Sequence, residues 1–370
     1  MIIGILKEIK NNENRVALIP EKAKLLLDNN HEVLIEKNAG LGAGYSDENY
    51  LAVGCKIIND PKFIFSNSEL VLKVKEPLES EYKFLNSKST LFTYLHLAAN
   101  KKLTNALLDK NTIAIAYESV STDKRNFPLL QPMSEIAGKL APQIAANFLE
   151  KQNGGLGVLI GGTEKIPPLN IAIIGGGTVG YNAAKISNGL GGNVFVFDID
   201  ESKLQKISED QNNIITILSS NENLTKHLPK MDIIINGIYI PGATAPKIIT
   251  KEIQAKLKQN CFIIDVAIDQ GGSVENLSPT SHDDPVVSLK NNIYGYAVPN
   301  MPGIVPQTAS KALNEATFPY IEYIANNGIQ YAIKNNIEIF NGVNIYKNNI
   351  TSEAVAKSLG MSYKSLSDMI

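Results

Sequence analysis

The chain is short of arginine, of cysteine and of long apolar runs, and each shortage excludes something. No stretch approaches the roughly eighteen consecutive apolar residues of a membrane-spanning helix, so none is expected. Cysteine occurs twice in 370 residues, at Cys55 and Cys261, and neither sits in a Cys-x-x-Cys or Cys/His cluster. That argues against a disulfide scaffold and against a zinc site, and reads as reduced thiols in a cytosol. The opening "MIIGILKEIKNNENR" turns charged at Lys7, too early for a secretory signal, so a cytoplasmic location is expected. Neither sign of charge dominates: 35 basic residues face 37 acidic ones. A net charge of -2 gives no reason to expect nucleic acid or an anionic membrane as partner.

Arginine is the most informative shortage. Only Arg15 and Arg125 occur, and lysine carries positive charge everywhere else. Arginine survives in such a chain either by accident of codon usage or where lysine cannot supply a bidentate grip on a planar anion. Both readings stay open until the context of Arg15 is known.

What is present is an alternation of short apolar runs with helical patterns. "IIGIL" (2–6), "EVLIE" (32–36), "LVLKV" (70–74), "STLFTYL" (89–95) and "TIAIAY" (112–117) are candidate strands. A long helical pattern follows at 132–152, then a Gly- and Pro-rich stretch at 153–170 that reads as a loop. Alternation restarts with "IAIIG" (171–175), "NVFVFD" (193–198), "IITIL" (214–218), "DIIIN" (232–236), "CFIIDVA" (261–267) and "NIYGYAV" (292–298). The chain beyond Pro306 reads as helical and is expected to return to the first sheet. The expectation is an α/β protein with two doubly wound parallel-sheet domains separated by a cleft.

The stretch "NIAIIGGGTVGYNAAKISNGLGGNVFVFDID" (170–200) carries the strongest local signal. Gly175, Gly177 and Gly180 stand at G-x-G-x-x-G spacing, directly after a strand and opening a helix. Gly175 allows the tight turn, Gly177 lets backbone approach a pyrophosphate, and Gly180 lets helix and strand pack closely. Thr178 and Val179 open the helix, whose free N–H groups and dipole favour phosphate. Asp198 ends the next strand, where a carboxylate accepts the ribose hydroxyls, and no arginine follows it. This reads as a Rossmann-like site for NAD and not NADP.

Opposite chemistry is carried by isolated polar residues: Arg15 in "ENRVALIP", Lys75 in "VLKVKEP" and His96 in "TYLHLAA". Lys75 and His96 lie near strand C-terminal ends, where ligands collect in open α/β sheets. Arg15 and Lys75 can neutralise a small carboxylate, and His96 can exchange a proton near neutral pH. Taken singly, each also fits a bland reading: a satisfied core histidine, or a solvated lysine. Asp269, in "IIDVAIDQGGSVEN", reads either as a base facing the nicotinamide or as a turn carboxylate that caps backbone.

Taken in order, "GILKEIKNNENRVALIP", "VLKVKEP", "FTYLHLAA", "PMSEIAGKLAPQ", "GGGTVGYNAAKI", "VFVFDID", "IPGATAPKIIT", "IDVAIDQGG" and "NMPGIVP" resemble the alanine dehydrogenase family over nearly the whole chain. The hydride domain of proton-translocating transhydrogenases is similar in fold and shares some of these motifs. The resemblance implies reversible, NAD-dependent oxidative deamination of L-alanine to pyruvate and ammonia. It implies Arg15 and Lys75 as carboxylate ligands, His96 as acid/base and Asp269 as the essential aspartate. Asp198 is implied as the adenosine-ribose ligand, with further cofactor contacts at Ser134, Lys203, Ser220, Asn300 and Met301. It also implies a homohexamer, with residues 1–130 plus 306–370 binding substrate and 131–305 binding NAD. Gly295, Pro299 and Gln307 depart from the family's usual residues, and Pro299 removes a backbone donor beside Asn300. Alternatives are a transhydrogenase-like hydride-transfer subunit, a saccharopine-type dehydrogenase and a non-catalytic NAD-binding sensor.

Overall fold

The computed structural model describes residues 1–123, 126–238, 245–268 and 271–370. The chain divides into two compact units, Met1–Met133 with Gly303–Ile370, and Ser134–Pro302.

The first unit is built on parallel strands β1 (Ile2–Ile5), β2 (Glu32–Glu36), β3 (Lys56–Ile58), β4 (Leu70–Leu72), β5 (Thr90–Thr93) and β6 (Ile113–Ala116). They lie in the order β3-β2-β1-β4-β5-β6. The central strands are apolar along their whole length, because helices cover both faces of a parallel sheet. Leu6, Ile64, Phe65, Leu91 and Leu107 belong to the resulting buried cluster. Strand order reverses between β1 and β4, so the loops leaving those two strands diverge to opposite faces and leave a crevice.

The second unit repeats the scheme with β7 (Asn170–Ile174), β8 (Asn193–Asp198), β9 (Ile215–Leu218), β10 (Ile233–Asn236), β11 (Phe262–Asp265), β12 (Val286–Leu289) and β13 (Ile293–Tyr296). Its parallel order is β9-β8-β7-β10-β11-β13, with β12 antiparallel at the edge beside β13. Both units are therefore doubly wound α/β sheets of Rossmann type, the class expected. Among the described residues no helix is long and apolar enough to cross a membrane.

The structure departs from the sequence reading at four strands. The segment beyond Pro306 is not all helical: β14 (Val343–Tyr346) pairs antiparallel with β6 and with β15 (Asn349–Ile350). Lys347 and Asn348 both have positive φ, 44° and 59°, which makes the two-residue primed turn that suits a hairpin. β3 and β12 were also not anticipated. Both are short and lie at sheet edges, so neither carries the long apolar run of a central strand.

Candidate active site

Arg15, Lys75 and His96 come from three loops at the C-terminal end of the first sheet. Arg15 follows β1, Lys75 follows β4 across the switch point, and His96 follows β5. Neighbouring strands end level, with Ile5 opposite Leu72 and Leu72 opposite Phe92, so loops distant in sequence become neighbours. The Pro306–Asn327 helix fixes the Arg15 loop from behind. Its Ser310 hydroxyl accepts from Val16 N–H at 3.0 Å and its Asn314 amide oxygen from Ile19 N–H at 2.8 Å.

Each of the three side chains has its own backbone N–H received by a glutamate. Glu13 Oε1 accepts from Arg15 N at 3.1 Å and from its Nε at 2.7 Å, and Glu13 Oε2 accepts from Nη2. Glu8 Oε1 accepts from Val74 N at 2.6 Å and Lys75 N at 3.3 Å. Glu118 Oε1 accepts from His96 N at 2.6 Å, and both its oxygens from Leu95 N at 3.1 and 3.2 Å. The Lys75 carbonyl accepts from the Thr93 hydroxyl at 3.1 Å. Sequence inspection does not single out these acids, because a glutamate in a loop reads as solvated until the fold buries it.

The same holds for Lys73, which is wholly buried although "KVKEP" reads as a solvated stretch. Its ammonium lies 3.0 Å from Glu81 and 3.5 Å from Glu8. Burial opposes its charge, but the two carboxylates outweigh that and raise its pKa. Burial likewise works against the Glu13 carboxylate, and the Arg15 guanidinium overcomes it, holding Glu13 down at about 2. Lys75 has no such surplus. Burial and the neighbouring Arg15 push its pKa down, against the opposing pull of Glu76. The result is a half-buried lysine, disfavoured as a cation, beside a fixed arginine: a place that gains from a bound carboxylate. Arg15 also donates Nη1 to Met133 Sδ at 3.1 Å, and the Tyr94 ring stacks against His96 at 6.2 Å between centroids.

In the second unit the glycine turn follows β7. Gly175 has φ 97°, and a Cβ on Gly180 would lie 1.7 Å from the Gly175 carbonyl oxygen, so both are required by the fold itself. Gly177 differs. Its φ is −70° and a Cβ there meets nothing within 4 Å among the described residues. Packing among the described residues does not explain this glycine, which stands at the N-terminus of the Thr178–Gly189 helix, where free N–H groups suit a phosphate. Asp198 Oδ2 accepts from Gly176 N at 2.6 Å and Oδ1 from Asp200 N at 2.8 Å, which ties the carboxylate to the turn. Lys203 Nζ is 3.8 Å from Asp198.

Other candidates have packing or capping duties. Val179 packs against Gly237, whose Cβ would sit 2.9 Å from Val179 Cγ1. Thr178 is exposed on the first helical turn. Ser220 caps the Asn221–His227 helix, accepting from Asn223 N at 3.1 Å. Ser134 is half-buried in the Gln131–Leu149 helix, and Met301 is buried. The Asn300 carbonyl lies 3.0 Å from His282 Nε2. Gly295 is crowded by Leu277, 2.7 Å from a notional Cβ, so a larger residue there would force Leu277 to move. Asp269 and Arg125 lie outside the described residues. Four residues before Asp269, buried Asp265 accepts from Ser273 N at 2.8 Å and from Asn236 Nδ2 at 2.8 Å.

Residues 4–137 match the model of the alanine dehydrogenase/PNT N-terminal domain, and residues 141–353 match that of the C-terminal domain. An alanine dehydrogenase of Staphylococcus haemolyticus is 44% identical over 372 residues, covering 100% of this chain and 99% of the relative. An alanine dehydrogenase 2 of Staphylococcus aureus is also 44% identical, covering 100% of each. A solved L-alanine dehydrogenase superposes with a TM-score of 0.93 at 40% identity, covering 97% of this chain and 99% of that one. A transhydrogenase from Sinorhizobium meliloti shares the fold, with a TM-score of 0.80 at 21% identity, covering 96% and 100%. With both halves matched in order and relatives aligned end to end, the chain belongs to the alanine dehydrogenase/PNT family.

Proposed function

We propose that the chain is an NAD-dependent alanine dehydrogenase, which interconverts L-alanine with pyruvate and ammonia. The observation that carries this reading is the meeting of Arg15, Lys75 and His96 at one sheet end, in a chain similar to alanine dehydrogenases along its full length. Arg15 and Lys75 receive the substrate carboxylate, and that anion relieves the strain on the Lys75 cation. His96 moves protons between substrate nitrogen, water and the developing carbonyl, a task suited to an imidazole near neutral pH. Asp269 shares this proton traffic. Gly175, Gly177 and Gly180, with the helix opened by Thr178 and Val179, hold the pyrophosphate of NAD. Asp198 holds the ribose, and Ser134, Lys203, Ser220, Asn300 and Met301 line the remaining cofactor surface. Bound NAD supplies the hydride acceptor for the substrate Cα. Residues 1–130 with 306–370 form the substrate side, and 131–305 the cofactor side.

We further propose a homohexamer. Leu156, Val158, Leu159 and Ile166 are exposed together on one Gly- and Pro-rich segment, with Leu159 68% accessible, and such a cluster marks a contact surface. Two buried free thiols fit work in the cytoplasm.

Purified protein with NAD and L-alanine at mildly alkaline pH is expected to form NADH, with both reagents required. Hydride transfer between nicotinamide nucleotides without alanine would instead assign the transhydrogenase-like role, and cofactor binding without turnover the sensor role. Gly177→Ala is expected to keep its thermal stability within about 0.5 kcal/mol while NAD affinity drops on the order of tenfold. Gly180→Ala is expected to lose about 1–3 kcal/mol of stability through overpacking. Wild-type NAD affinity in Gly177→Ala would remove the phosphate from that turn. The protonated Lys75 binds pyruvate, and its pKa is lowered. The pyruvate KM should therefore climb with pH from below the usual lysine range, and Lys75→Met should raise KM and flatten that limb. A parallel climb in Lys75→Met would assign the titration elsewhere. Leu159→Glu should lower the assembled mass measured by light scattering, and an unchanged hexamer would place the interface away from this segment.

A further inference from the structure

We infer that Glu118 is the positioning residue for His96: its carboxylate gathers the N–H groups of Leu95 and His96 and so holds the histidine in the backbone conformation from which its ring works. This deepens the reading of His96 as the proton-handling group and rests on it.

The first support is conformational. His96 has φ 49° and ψ 38°, the left-handed region, which is unfavourable for a residue with a side chain. Among the described residues twelve other than glycine have positive φ, and ten of them are asparagine, the residue that tolerates this region best. The two exceptions are Lys347, in the hairpin turn, and His96. This chain meets left-handed positions with asparagine as a habit, so a histidine there is held for its ring and not for its backbone. Strained residues of this kind persist where their surroundings over-determine them.

The second support is the carboxylate itself. β5 and β6 are adjacent and parallel, with Thr93 opposite Ala116. His96 lies three residues beyond Thr93, and Glu118 two beyond Ala116, on the turn Tyr117–Ser119. The register therefore delivers Glu118 under the β5 loop. Its three short contacts, 2.6 Å to His96 N and 3.1 and 3.2 Å to Leu95 N, are those of an anion seated on successive amide N–H groups. Such nests usually receive a ligand anion; here the protein's own glutamate fills it. The Tyr94 ring, 12° from parallel with the imidazole, limits the remaining freedom of the His96 side chain.

The test is steady-state kinetics of the purified full-length protein with Glu118→Ala, Glu118→Gln, His96→Asn and the double variant His96→Asn/Glu118→Ala. His96→Asn retains a residue suited to the left-handed backbone and removes only the proton-transfer ring. Glu118→Ala is expected to cut kcat by roughly 100-fold, the scale of a small misplacement of a reacting group. The pyruvate KM should stay within about twofold, because the carboxylate ligands are untouched. Glu118→Gln, which keeps one acceptor oxygen, should fall between, and it carries the test if the alanine variant does not fold. Removing Glu118 should cost the His96→Asn enzyme nothing further in kcat. A wild-type kcat in both Glu118 variants, or equal fractional losses with and without His96, would make Glu118 a general scaffold residue and overturn the proposal. Normal turnover by His96→Asn would remove His96 from the chemistry instead, and the proposal with it.

Discussion

Burying cations at the mouth of an apolar sheet is the constraint on which this molecule turns. Arg15 and Lys73 are almost wholly withdrawn from solvent, and Lys75 is half withdrawn. An isolated buried charge costs several kcal/mol, so each needs a partner already in place. For Arg15 and Lys73 the partners are Glu13, Glu8 and Glu81, and two of them, Glu8 and Glu13, do more than neutralise. They bind the backbone N–H groups of Arg15 and Lys75, in bonds worth about 1.5–3 kcal/mol each when one partner is ionised. Charge compensation and backbone fixation are thus one interaction. The loops it fixes are those that carry Arg15 and Lys75, so the cost of ordering them is met in folding.

The two sheets share a strand order and use it in opposite ways. In the first unit loops hold polar side chains beyond the strand ends. In the second the turn after β7 is built on missing side chains: Gly180 admits the helix to the strand, and Gly177 leaves space that none of the described residues fills. Asp198 connects the two styles, as a carboxylate that ties the turn through Gly176 N–H while ending β8. One topology can carry both because the crevice at the switch point comes from strand order, whatever residues line it.

What could be read in the sequence divides along the same line. The Gly175–Gly180 turn was legible because backbone geometry admits glycine and little else at two of its three positions. Arg15, Lys75 and His96 were legible as candidates because polar residues at the ends of apolar strands need a reason. Glu8, Glu118 and Lys73 were not, since only the pairing of strands distant in sequence brings them to their partners, and Glu13, though two residues from Arg15, is buried only by the fold. The same locality explains β14 and β15, whose hairpin completes the sheet beside β6 from more than 200 residues away in the chain. The left-handed conformation of His96 was equally hidden, because a histidine gives no local sign of positive φ.

The central claim is that the site is ordered before any ligand arrives. Hydrogen exchange of the ligand-free protein, followed by mass spectrometry, tests it most directly. The account predicts that the amides of Val74, Lys75, Leu95 and His96 exchange as slowly as those of the β4 and β5 strands they follow. Exchange at the rate of exposed loops, slowed only on adding NAD and pyruvate, would mean that substrate orders the site and would contradict the role given to the glutamates.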